Sequence, residues 1–137
     1  MNTNSQKYEQ ALQFLNGLVD YSHIPNLQFE LDKFDLQRVR DLLALMGNPQ
    51  SAFPIVHVAG TKGKGSTAAM LASILRAAGC RVGLFSSPYL FDFCEQVRVD
   101  EVSIPGDELV NLVEALKPLL EKVSGITSFE ALTAICF

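Results

Sequence analysis

Apolar side chains recur at helical intervals in several stretches of the chain, separated by turn-forming residues. Tyr8, Leu12, Leu15 and Val19 share one face, which predicts a helix over 6–21. The stretch 22–34, with Pro25 and mixed charge, reads as a loop. Asp35 is placed to cap a second helix with Leu36, Val39, Leu43 and Met46 on one side, and Gly47-Asn48-Pro49 stops it. The short β-branched run 54–59, Pro-Ile-Val-His-Val-Ala, predicts a buried strand with His57 as a core histidine. A glycine-rich turn follows, then a helix over 65–78 with Met70, Leu71, Ile74, Leu75 and Ala78 as its apolar positions and Gly79 as its stop. Residues 81–86 read as a second strand, so this region predicts a βαβ unit with a right-handed crossover. An aromatic loop spans 87–95, and short alternating segments around 96–104 predict a small hairpin. A helix over 107–122 is expected to bend at Pro118, because proline lacks the N–H of the helical ladder. Thr127 and Glu130 have capping-box spacing and open a last helix that runs to Phe137 without a stop signal.

The order of elements predicts an α/β fold, with a parallel sheet flanked by helices. Two buried-type strands are few for a sheet that needs both faces covered. The expectation is therefore a chain cut short inside a larger domain, after the first βαβ unit and the helices that follow it.

Composition narrows the function classes. The chain has 137 residues, 48% of them hydrophobic, and a formal net charge of −4. These values fit a globular domain, and such mild charge gives no reason to expect a nucleic-acid or membrane partner. The polar start, Met1-Asn2-Thr3-Asn4-Ser5-Gln6-Lys7, lacks the apolar stretch of a secretory signal. Cys80, Cys94 and Cys136 have no metal-ligand spacing and read as reduced thiols of a cytoplasmic protein.

The chemistry concentrates in Gly60-Thr61-Lys62-Gly63-Lys64-Gly65-Ser66, between a predicted strand and a predicted helix. That is the setting of a P-loop. Glycines let backbone N–H groups turn toward an anion, and the helix start adds unpaired N–H groups and a partial positive charge. Lys64 is long enough to reach the β- and γ-phosphates of ATP. The loop departs from the Walker spacing, because only two residues separate Gly60 from Gly63-Lys64. Gly65 also stands where a magnesium-binding hydroxyl normally follows the lysine, so the metal ligand is either Ser66 or a residue elsewhere.

At Val58-Ala59-Gly60-Thr61-Lys62-Gly63-Lys64-Gly65-Ser66 the chain resembles the folylpolyglutamate synthase/dihydrofolate synthase family, a branch of the Mur ligase superfamily, and the resemblance extends along most of its length. The resemblance takes in Arg38-Val39, Leu45-Met46-Gly47-Asn48-Pro49-Gln50 and Phe85-Ser86-Ser87-Pro88-Tyr89-Leu90. It continues through Glu95-Gln96-Val97-Arg98-Val99, Ile104-Pro105 and Thr127-Ser128-Phe129-Glu130. Lys62 stands where the family usually has asparagine, and Phe34-Asp35-Leu36-Gln37 where it more often has Leu-Gly-Leu-Glu.

The resemblance implies an ATP-dependent ligase with the P-loop NTPase-like central domain of Mur ligases. A helical segment over 1–50 would lead into an incomplete ATP-binding domain over 51–137, with the C-terminal glutamate-binding domain absent. ATP would phosphorylate a carboxylate of dihydropteroate or of the glutamate tail of tetrahydrofolate, and L-glutamate would attack the acyl phosphate. Gly60, Thr61, Lys62, Gly63, Lys64, Gly65 and Ser66 would hold ATP, with Lys64 as the catalytic cation and Ser87 as a Mg2+ ligand. Asp32, Lys33 and Phe34, together with Thr127, Ser128, Phe129 and Glu130, would contact the pterin. Tyr89, Phe91 and Phe93 would either line the folate site or pack among themselves. The expected full-length protein is a cytoplasmic monomer, and this segment alone is expected to be inactive. Two other readings compete: a Mur-type ligase of a cell-wall precursor, and an ATP-binding module without catalysis.

Overall fold

The computed structural model describes residues 3–18 and 36–137. Five helices run through them: α1 (Thr3–Asn16), α2 (Leu36–Leu45), α3 (Lys64–Ala77), α4 (Gly106–Leu120) and α5 (Ser128–Cys136). Three short strands, β1 (Gly83–Phe85), β2 (Val97–Val99) and β3 (Val102–Ser103), form one sheet in the order β1-β2-β3. The residues divide into two compact units. One holds the chain up to Phe53 with Val110–Ile135 and Phe137, and the other holds Pro54–Leu109 with Cys136.

The first unit is helical. Its core draws on Ala11 and Leu15 of α1, Leu42 and Leu43 of α2, Val113, Leu116 and Leu120 of α4, and Ala131, Leu132, Ala134 and Ile135 of α5. The recurrence of these positions every three or four residues is what puts them on one side of each helix. Gly47 and Asn48, both at positive φ, follow α2, and the Asn48 N–H returns to the Leu43 carbonyl at 2.8 Å. This is the predicted stop, built from the two residue types that tolerate a left-handed backbone. Lys117 lies over the Phe14 ring, 5.0 Å from its centroid, and so links α4 to α1.

The start of α5 is set by the predicted capping box. The Thr127 hydroxyl accepts the Glu130 N–H at 3.1 Å, and the Glu130 carboxylate accepts the Thr127 N–H at 2.8 Å. Thr127→Ala removes half of this reciprocal pair, and thermal denaturation is expected to show a loss of about 1 kcal/mol.

The second unit carries the glycine-rich loop, α3 and the sheet. Both strand pairs are antiparallel, with Phe85 opposite Val97 and Val99 opposite Val102. Asp100 and Glu101, at φ 50° and 70°, make the turn between β2 and β3. Two successive left-handed residues match the twist of a tight hairpin, although neither is glycine here. Side chains hold them in place. The Asp100 carboxylate accepts the Val82 N–H at 2.9 Å, and the Glu101 carboxylate accepts the Ser73 hydroxyl at 2.7 Å and pairs with Arg76. The Ser73 hydrogen bond and the Arg76 charge together keep the Glu101 carboxyl below its ordinary range. α3 is thereby fastened to the hairpin.

Several local expectations are corrected. Helix α1 ends at Asn16 rather than at 21, where Gly17 closes on the Gln13 carbonyl. The run 54–59 joins no strand ladder. Ile55 and Val56 are more than half exposed, and His57 is exposed rather than a core residue. A β-branched sequence favours an extended backbone, but a ladder needs a neighbour, and none of the described strands pairs with this one. For the same reason β1 gains an antiparallel partner in β2 and not a parallel one through α3. On α3 itself, Leu71 and Leu75 are half-buried while Met70 and Ile74 stand 60% and 65% exposed. The small Ala72 is the buried residue of that helix.

Among the described residues no helix is long and apolar enough to cross a membrane.

Candidate functional site

The glycine-rich loop enters α3 as the spacing predicts. Gly63 is the N-cap, at φ 75°, and α3 begins at Lys64. An L-residue with a side chain is disfavoured at that angle, so the sharp entry into the helix depends on glycine. Thr67 N–H makes the helical bond back to the Gly63 carbonyl at 2.9 Å. The amides of the first turn, around Gly65 and Ser66, therefore lie at the end that a helix leaves outside its ladder. A Cβ built on Gly63 or on Gly65 would meet nothing within 4 Å, so the mouth of the helix opens on free space. Residues 60–67 are all exposed.

Lys64 folds back over this loop. Its ammonium donates to the Gly60 carbonyl at 2.8 Å, which holds the charge above the turn. Lys62, two residues earlier in the loop, is exposed. The Lys64 ammonium, a helix N-terminus and glycines that leave room for an anion are donors of the kind that a polyphosphate cradle uses.

Ser87 lies two residues beyond the end of β1, after Ser86, and is exposed. Helix α3 packs against β1, so the strand leading to Ser87 and the helix opened by the loop share a support. The Ser87-Pro88 peptide is cis. Among the described residues no group of His, Cys, Asp and Glu is arranged to hold a metal ion by itself. Mg2+ keeps several waters and takes one or two protein ligands together with phosphate oxygens. A hydroxyl at Ser87 or Ser66 fits this chemistry. The cysteines lie outside it. Cys80 is exposed, Cys94 is buried, and burial pushes the Cys136 thiol up to about 12.

Thr127, Ser128, Phe129 and Glu130 form the entrance of α5 in the helical unit. Thr127 is buried, whereas the Phe129 ring is 61% exposed and is not part of the core. The Glu130 carboxylate takes the Thr127 hydroxyl at 2.9 Å as well as its N–H, and Arg38 of α2 approaches its other oxygen at 3.5 Å. This pairing joins residues 92 positions apart and has no signal in the sequence. Asp32, Lys33 and Phe34 lie outside the described residues. An open cleft of about 590 Å³ in the same unit is lined by Arg38, Asp41, Ala44, Leu45, Lys122, Val123 and Ser124. It contains none of the residues that the sequence assigns to ATP, metal or pterin.

In the aromatic loop, Tyr89 and Phe93 pack with ring centroids 5.6 Å apart, whereas Leu90 and Phe91 are 81% and 91% exposed. Glu95 was not among the residues assigned a role, although Asp92 and Glu95 carry the spacing of a capping box and form one. The Glu95 carboxyl is held below its ordinary value, first by the Leu90 N–H, with burial opposing and the Asp92 and Phe91 N–H groups adding to the effect.

The chain is 35% identical over 135 residues to the dihydrofolate synthase/folylpolyglutamate synthase of Bacillus subtilis, covering 95% of this chain and 29% of that protein. Over most of its length the chain is thus similar to the folylpolyglutamate synthase/dihydrofolate synthase family. Its backbone agrees with that of solved folylpolyglutamate synthases. The Mycobacterium tuberculosis folylpolyglutamate synthase, solved with ADP and AMPPCP, matches with a TM-score of 0.83 and 26% identity, over 97% of this chain and 28% of that one. A folylpolyglutamate synthase complex with AMPPCP and folate matches with a TM-score of 0.79 and 31% identity, over 94% and 31% of the two chains. The Mur ligase fold of the family is thus shared by this segment, which spans about 30% of the length of these relatives. No protein-family model matches the chain.

Proposed function

We propose that this chain supplies the ATP-holding loop and part of the pterin-holding surface of a ligase that adds L-glutamate to dihydropteroate, to the glutamate tail of tetrahydrofolate, or to both. The observation that carries the reading is the entry into α3. Gly63 turns the backbone at φ 75°, Lys64 begins the helix, and the Lys64 ammonium lies over the Gly60 carbonyl. Solved family members bound to nucleotide, and in one case also to folate, support it.

In the proposed reaction an oxygen of the substrate carboxylate forms a bond to the γ-phosphorus of ATP, the bond from that phosphorus to the β–γ bridging oxygen breaks, and ADP leaves. The amino nitrogen of glutamate then attacks the acyl carbon, and inorganic phosphate leaves with the carboxylate oxygen as the amide forms. Little covalent chemistry falls to the protein, whose task is to position groups and to balance charge. The loop amides and the Lys64 ammonium lie where the transferred phosphoryl group carries negative charge. Magnesium, when bound, supplies further positive charge to the phosphate oxygens. Ser87 is the proposed protein ligand, and Ser66 is the second hydroxyl within the loop segment.

On the substrate side, the exposed ring of Phe129 offers an apolar face to a flat heterocycle. Thr127 and Glu130 keep their capping role and would set where that ring stands. Asp32, Lys33 and Phe34 are proposed as the second pterin contact. A cytoplasmic monomer acting only on small molecules completes the reading.

Calorimetric titration tests it. The chain is expected to bind AMPPCP with magnesium and not adenosine, and the loaded chain to bind dihydropteroate or tetrahydrofolate. Binding of a nucleotide-linked cell-wall precursor in place of the pterin compound would favour a cell-wall ligase instead. Equal affinity for adenosine and AMPPCP would contradict the phosphate reading altogether.

A further inference from the structure

We propose that Glu95 is a positioning residue, whose carboxylate gathers the backbone of the loop that begins at Ser87 and so sets the shape in which that hydroxyl is offered to magnesium. The inference rests on the reading of Ser87 given above.

The loop leaves β1 and returns at β2. Its base is closed by the pairing of Phe85 with Val97 and by the Ser86 N–H on the Gln96 carbonyl at 3.0 Å. Within the loop, one Glu95 carboxylate oxygen accepts the N–H groups of Leu90 at 2.9 Å and Phe91 at 3.4 Å, and the other accepts that of Asp92 at 3.2 Å. A capping box requires only the Asp92 contact. The bonds to Leu90 and Phe91 are additional and reach back toward Ser87.

Glu95 is itself held. Its N–H donates to the Asp92 carbonyl at 3.0 Å, and its carbonyl accepts from Arg98 Nε at 3.0 Å. The residues it gathers have little packing of their own, since Leu90 and Phe91 are 81% and 91% exposed. With so little apolar burial at the tip, the shape of the loop depends on a carboxylate that draws successive amides around it.

The test uses the full chain with Glu95→Ala, Glu95→Gln and Ser87→Ala. Amide hydrogen exchange without ligand is read first. Glu95→Ala should speed exchange at Leu90, Phe91 and Asp92 by about 10-fold or more, as expected for the loss of charge-assisted hydrogen bonds. Glu95→Gln, which keeps an acceptor oxygen, should restore part of the protection. The affinity for AMPPCP is then compared with and without magnesium. Ser87→Ala should reduce the gain that magnesium provides. Glu95→Ala should reduce it to a similar extent and leave the magnesium-free affinity unchanged.

If Ser87→Ala reduces the gain and Glu95→Ala and Glu95→Gln do not, the positioning role is wrong. If Glu95→Ala weakens magnesium-free binding equally, the residue is merely structural and the proposal is likewise overturned. If Ser87→Ala leaves the gain intact, the assignment of Ser87 has failed, and the proposal falls with it by a visibly different route.

Discussion

Lys64→Ala is expected to weaken AMPPCP binding about 100-fold, the scale of losing a charge-assisted contact to phosphate. The melting temperature of the chain should stay nearly constant. The two effects separate because Lys64 is exposed and its ammonium meets the Gly60 carbonyl rather than a core partner. Removing it leaves the glycine turn and the α3 backbone in place. A triphosphate brings several negative charges to that turn, and the neighbouring Lys62 does not sit in the first turn of the helix. Calorimetric titration alongside a thermal melt reads both quantities. Affinity within about twofold of the parent chain would show that the ammonium does not meet the phosphates, since one such contact is worth far more.

Leu42→Ala is expected to remove about 2–5 kcal/mol of stability. Leu42 is fully buried on α2, among the helices of the first unit. Truncating it loses transfer free energy and leaves a cavity that packed neighbours fill only in part. Total stabilities of about 5–15 kcal/mol make that a large fraction. The comparison that gives the result meaning is Ile74→Ala on α3. Ile74 is 65% exposed, and its replacement should stay within about 0.5 kcal/mol. Denaturant titration of both variants checks the pair. Equal losses would mean that the apolar side of α3 is as well packed as that of α2.

What the sequence made legible is mostly local. The stop of α2 at Gly47-Asn48, the start of α3 behind Gly63 and the Thr127–Glu130 cap each depend on residues a few positions apart, and all of them formed. The β2–β3 hairpin was visible as alternation, although its turn uses Asp100 and Glu101 rather than glycine. The strand expected over 54–59 needed a partner that periodicity cannot supply, and its apolar side chains stayed exposed. A parallel pair could not be told from an antiparallel one for the same reason. The glycine turn and the place of Lys64 at the start of α3 were legible in their spacing. The Glu95 carboxylate was not, because its contacts to Leu90 and Phe91 exist only once the loop has folded over it. Nor could the approach of Arg38 to Glu130 be read, across most of the chain.

The most direct measurement is an AMPPCP titration followed by backbone amide chemical shifts. The largest and earliest changes are expected on Gly60 to Ser66, with the amides of Gly63 to Ser66 moving most, and adenosine alone should produce none of them. Changes centred on the cleft between Arg38 and Lys122, or an adenosine response equal to that of AMPPCP, would contradict the phosphate-binding role of the loop.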